Sequence, residues 1–157
     1  MKKITLFIVA ILFFNVSFAQ DENHIKSEIQ LMQEAFGYEK MDIIKEFVDL
    51  NGTNANDFWK LYNEYEALRK EIGSEKMDLL YRYTTHKGAV SNTQAENLMK
   101  RVIPLRKNYD KLVEKYYKKI KKATNPLVAA QFYQIEHYIA DGINFTILDM
   151  VDFIQDK

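Results

Sequence analysis

Apolar side chains recur at alternating steps of three and four over residues 95–120: Ala95, Leu98, Val102, Leu105, Tyr109, Leu112 and Tyr116, with Ile120 four residues later. A repeat sustained this long fits one face of a helix lying along a partner. It does not fit strands, whose faces alternate every second residue. A helix with one apolar stripe also needs other stripes to bury it, so this segment commits its neighbours to helical packing.

Those neighbours carry the matching pattern. Residues 22–50 place Ile25, Ile29, Met32, Phe36, Ile43, Ile44, Phe47 and Val48 on one face, and Asn51-Gly52-Thr53-Asn54 ends the run with C′ and N-cap residues. A second helix is expected over about 55–83, with Phe58, Leu61, Tyr62, Tyr65, Leu68 and Ile72 as its stripe. Ser91-Asn92-Thr93-Gln94 reads as a capping box that opens the third helix, and Pro104 predicts a kink near residues 101–103. Thr124-Asn125-Pro126 starts the last helix, with proline at the first helical position. Five glycines and two prolines in 157 residues leave little material for a loop-rich sandwich. The expectation is an all-α domain of four long helices in an elongated, hairpin-like bundle.

The N-terminus reads as an export signal. Met1-Lys2-Lys3 is basic, residues 4–14 are apolar except for Thr5, and Ser17-Phe18-Ala19 places small residues at −3 and −1 of a cleavage site. The run is shorter than the ~20 residues that span a bilayer, so removal of 1–19 is expected in preference to an uncleaved anchor. Residues 20–157 would then form one domain in the periplasm or outside the cell. The absence of cysteine excludes a disulfide framework, a thiolate metal site and a cysteine nucleophile.

Charge is unevenly spread along the chain. Residues 20–50 carry three basic and eight acidic side chains, whereas residues 91–123 carry ten and three. On the third helix Lys100, Lys107, Lys111, Lys115, Lys118 and Lys122 recur at helical spacing. They either balance the acidic helices one and four or form an exposed strip that attracts acidic partners. Nucleic acid is not expected, because no recognition motif accompanies the lysines.

Catalysis has no visible home. His24, His86 and His137 lie in different segments, and there is no HExxH, GxSxG or glycine-rich phosphate loop. His137 and Asp141 are four residues apart and could share a metal ion, although a surface or interface histidine is the preferred reading. No enzyme activity, cofactor or metal is therefore expected. Ten tyrosines, ten phenylalanines and a tryptophan are more aromatics than a narrow bundle seam needs, which suggests that some line an interface.

Three stretches resemble the Spy/CpxP-like family of small periplasmic helical proteins. Val90-Ser91-Asn92-Thr93-Gln94 is similar to the family's LTxxQ signature, with Val for Leu and Ser for Thr. Phe58-Trp59-Lys60-Leu61-Tyr62-Asn63-Glu64-Tyr65-Glu66 is close to an FWPxYxxYE pattern without its proline, and residues 130–136 are close to ARFxQIE with Gln131 in place of arginine. The resemblance implies a cradle-shaped homodimer in the periplasm that acts as an ATP-independent chaperone. It equally allows a regulator of an envelope-stress sensor kinase, or a metal-responsive sensor linked to sigma-factor control. The scarcity of histidines counts against the last.

Under the chaperone expectation, Lys100, Lys107, Lys111, Lys115 and Lys118 steer unfolded or membrane-associated protein partners, while Phe58, Trp59, Tyr62 and Tyr65 supply packing or contact area. The rival expectation is a regulatory partner that docks onto one membrane sensor kinase or anti-sigma factor. Neither requires stable membrane insertion.

Overall fold

The computed structural model describes residues 39–84, 86, 89–150 and 154. Within these residues the chain is all-α: α1 over 39–47, α2 at Ala55–Thr84, α3 at Asn92–Ala123 and α4 at Pro126–Met150, with no strand. The expected signal peptide and the first part of the expected first helix, residues 22–38, lie outside the described residues. No described helix is long and apolar enough to cross a membrane.

Each boundary has a local cause. α1 ends as Val48 N–H donates to the Ile44 carbonyl at 2.9 Å, and Gly52 then takes φ +72°, a conformation in which a Cβ would be strained. Thr53 Oγ1 donates to the Leu50 carbonyl at 2.8 Å and closes that turn. α3 opens with the expected capping box. Gln94 N–H donates to Ser91 Oγ at 3.3 Å, and Ser91 N–H donates back to Gln94 Oε1 at 2.9 Å. At α4, Asn125 Oδ1 accepts from Val128 N–H at 2.9 Å directly before Pro126. Pro104 lies inside α3 without ending it, at an exposed position where its missing N–H costs the helix one internal hydrogen bond.

Contacts between the helices give the topology. Arg101 meets Glu75 and Asp78, at 3.7 and 3.4 Å, while Lys119 meets Glu64 at 3.3 Å, so α2 and α3 run antiparallel. Tyr117 against Tyr133 and Tyr109 against His137 make α3 and α4 antiparallel as well. Lys40 reaches both Glu66 and Glu136, and Asp49 N–H donates to Gln131 Oε1 at 3.1 Å, which places α1 antiparallel to α2 and α4. The result is an up-down-up-down bundle whose long α2–α3 hairpin extends for about 45 Å at 1.5 Å per residue.

Aromatic rings fill the core. Tyr65 packs edge-on against both Tyr116 and Phe132, at centroid distances of 5.6 and 5.1 Å, and Phe58 stacks on Tyr62 at 5.9 Å. Ile44 of α1, Val48 just after it, Ile120 of α3 and Val128 of α4 close around these rings. Edge-to-face pairs of this kind add about 0.5–1.5 kcal/mol each beyond their buried area.

The reciprocal cap at Ser91 gives a direct stability test. Ser91→Ala removes the acceptor for Gln94 N–H and should lower the unfolding free energy by about 1 kcal/mol in urea titrations. An unchanged midpoint would mean that the cap is not formed in solution.

Candidate functional site

The lysines picked out in the sequence occupy one exposed face of α3. Lys100, Lys107, Lys111, Lys115, Lys118 and Lys122 are all exposed. Lys100 pairs with Glu96 at 2.7 Å and Lys118 with Glu114 at 2.6 Å, both within the helix. Lys107, Lys111 and Lys122 have no ion-pair partner among the described residues, and Lys115 contacts only the Tyr116 ring, 5.7 Å from its centroid. Packing of this basic helix against acidic neighbours accounts for Lys119 and Arg101 but leaves the outer face uncompensated.

The aromatic half of the expected site lies elsewhere. Phe58, Tyr62 and Tyr65 are 0–1% exposed and form the bundle core, and Trp59 is half-buried against Phe58 and Tyr62. In the folded bundle these residues pack the interior and do not share a surface with the lysines. The heptad stripe of α2 requires this placement, because tyrosines at core positions turn inward with the rest of the stripe. The exposed aromatics among the described residues are instead Phe47 of α1 and Tyr133, Tyr138 and Phe145 of α4, with Met99, Val102 and Ile103 exposed near the start of α3.

A buried polar cluster lies beneath the aromatic core. The Lys40 ammonium is 1% exposed and donates to Glu66 Oε1 at 2.5 Å and to Glu136 Oε2 at 2.7 Å. Tyr65 Oη donates to the same Glu136 oxygen at 2.5 Å. Arg69 forks onto Glu66, with Nε–Oε1 at 2.8 Å and Nη2–Oε2 at 3.0 Å, and Tyr109 Oη donates to the Glu136 backbone carbonyl at 3.0 Å. Two positive and two negative side chains thus balance where water has little access. The faces of Tyr65 and Tyr62 lie 5.2 and 5.7 Å from the Lys40 nitrogen. Tyr62 Oη and Glu136 Oε1 are buried without a hydrogen-bond partner among the described residues.

The electrostatics follow from this packing. Burial pushes the Glu66 carboxyl up, but Lys40 and Arg69 together outweigh it and hold Glu66 below the usual carboxylate range. Burial would lower the Arg69 guanidinium, and the Glu66 carboxylate more than reverses that. The Tyr62, Tyr65 and Tyr109 hydroxyls are driven up by burial first and by the Glu136 carboxylate second, so they remain donors across the physiological range.

Sequence reasoning missed this cluster, although two of the stretches that carry the family resemblance supply it. Residues 58–66 contribute Tyr62, Tyr65 and Glu66, and residues 130–136 contribute Phe132 and Glu136. The signal was positional. Lys40 precedes Ile44 by one turn on the apolar stripe, and Glu136 follows Phe132 by one turn.

The histidines offer less. His24 lies outside the described residues, and no group of three His, Asp or Glu among the described residues is placed to hold a metal ion. His137 is sandwiched by aromatic rings, 4.4 Å from Tyr133 and 6.1 Å from Tyr109. Comparison of the chain with protein-family models, curated proteins and solved structures found no match.

The lowered Glu66 carboxyl gives a signed pH dependence. Its contribution is complete above the ordinary glutamate value of 4.5 and is lost as pH falls through the lower folded value. The Tm should be nearly level from about pH 7 to 5 and fall below about pH 4.5. Glu66→Gln should start lower at neutral pH and fall less steeply in acid. An acid limb of unchanged slope in that variant would assign the dependence to other carboxylates.

Proposed function

We propose that the chain is an exported helical binding protein of the periplasm that holds unfolded or membrane-associated polypeptides without ATP and without catalysis. The observation that supports this most is the lysine face of α3. Lys107, Lys111 and Lys115 are exposed, lack ion-pair partners among the described residues, and stand one helical turn apart. Lys122 extends the row to a span of about 22 Å. Solvated cations spaced like this raise the encounter rate with acidic chains while giving each contact little energy.

Apolar surface borders the same face. Ile103 is 47% exposed and stands one turn from both Lys100 and Lys107, with Met99 one turn further back. Charge for capture beside a modest apolar patch for retention suits loose, reversible binding. The core aromatics Phe58, Tyr62 and Tyr65 contribute by fixing the bundle that presents this face.

The test is light scattering of a chemically denatured protein diluted into buffer with and without residues 20–157, in the absence of ATP. Near-stoichiometric suppression of aggregation is expected, weakening as NaCl rises from about 0.05 to 0.5 M. Lys107→Glu, Lys111→Glu and Lys115→Glu together should abolish it with the bundle intact by circular dichroism. No suppression at any salt concentration would reject general client binding and favour a dedicated regulator docking onto one membrane-bound sensor kinase or anti-sigma factor.

A further inference from the structure

A cleft of about 360 Å³ opens between α3 and α4, bounded by Arg106 and Asp110 on one side and by His137, Asp141 and Asn144 on the other. The contact of Tyr109 with His137 fixes the register. Asp110 therefore stands near the level of His137, and Arg106 stands one turn along, near Asp141 and Asn144.

Four features of the cleft are left unused by the fold. Arg106, Asp110 and Asp141 belong to no ion pair among the described residues, although charges elsewhere on the bundle pair across helices. His137 Nε2 is shielded from solvent and has no hydrogen-bond partner among the described residues. Lys76 of α2 donates to Asn144 Oδ1 from behind the cleft, which leaves the Asn144 amide N–H groups to donate outward. Lys76 has no carboxylate partner among the described residues, and its pKa is depressed by burial first and by Arg106 second, so this end of the cleft sets two cations against the single carboxylate of Asp141.

We propose that the cleft binds a small zwitterion of the α-amino-acid class. Arg106 and the Asn144 amide take the carboxylate, Asp110 takes the ammonium, and His137 Nε2 supplies the remaining hydrogen bond. The mixed lining selects against simpler ligands. A plain carboxylate or phosphate meets Asp110 and Asp141, and a plain amine meets Arg106 and Lys76. The Tyr133 ring and Ala140 line the same cleft and offer apolar surface to a side chain. The volume lies at the small end of the range for small-molecule sites, which suits one amino acid. The site is separate from the α3 lysine face, so it stands or falls independently of client binding.

The experiment is a protein-observed NMR titration of residues 20–157 in low salt with glycine, L-leucine and L-phenylalanine. Matched controls are 3-phenylpropionate, which lacks the ammonium, and phenethylamine, which lacks the carboxylate. At least one amino acid should give saturable shifts of the His137 and Asn144 signals with a Kd below about 5 mM, at least about tenfold tighter than either control. Arg106→Ala and Asp110→Asn, at exposed positions outside any ion pair among the described residues, should keep the parent circular dichroism and each weaken binding about tenfold. No saturable shift with any of the three up to about 20 mM would overturn the proposal. So would a control that binds as tightly as its amino acid, or a variant that binds as tightly as the parent.

Discussion

The placement of α1 depends on one ammonium group. Lys40 is 1% exposed and lies between Glu66 of α2 and Glu136 of α4, so one side chain joins three helices. Removing such a charge from water costs several kcal/mol, and only close, well-directed partners offset that cost. The fold supplies them: two carboxylates on the ammonium, Arg69 on Glu66, and the Tyr65 hydroxyl on Glu136. A one-turn slip of α1 along the bundle would bury the same charge without partners. The cluster therefore selects one register among several that the apolar stripes alone would tolerate, as polar groups at core positions do in coiled coils.

The aromatic core and the polar cluster depend on each other. Tyr65 contributes its ring to the packing of Phe132 and Tyr116 and its hydroxyl to Glu136, so the hydrophobic and charged halves share a residue. With its interior fixed in this way, the bundle can leave the outer face of α3 electrostatically unbalanced. That face takes little part in holding the helices together, which frees its lysines for contact with other molecules.

Much of the architecture was legible in the sequence because it follows from local rules. The stripe from Leu105 to Ile120, the Ser91–Gln94 cap and Pro126 at the start of α4 each act within a few residues, and each is found where the pattern predicts it. The polar cluster was not legible, because its partners are 26 and 96 residues apart. Locally, Glu136 differs from a solvated helix glutamate only in standing one turn after Phe132. The roles of Phe58, Tyr62 and Tyr65 were ambiguous for a related reason. A tyrosine at helical spacing suits a core or an interface, and only the surrounding helices decide which.

A double-mutant cycle on Lys40 and Glu136 tests this account most directly, with Lys40→Met, Glu136→Gln and the combined variant compared by urea unfolding. If the pair fixes α1, each single change leaves an uncompensated buried group, and the two losses overlap. The coupling should exceed about 1.5 kcal/mol, with the double variant losing less than the sum of the singles. Losses that add to within about 0.5 kcal/mol would show that Lys40 and Glu136 do not act together, and α1 would then be held by its apolar face alone.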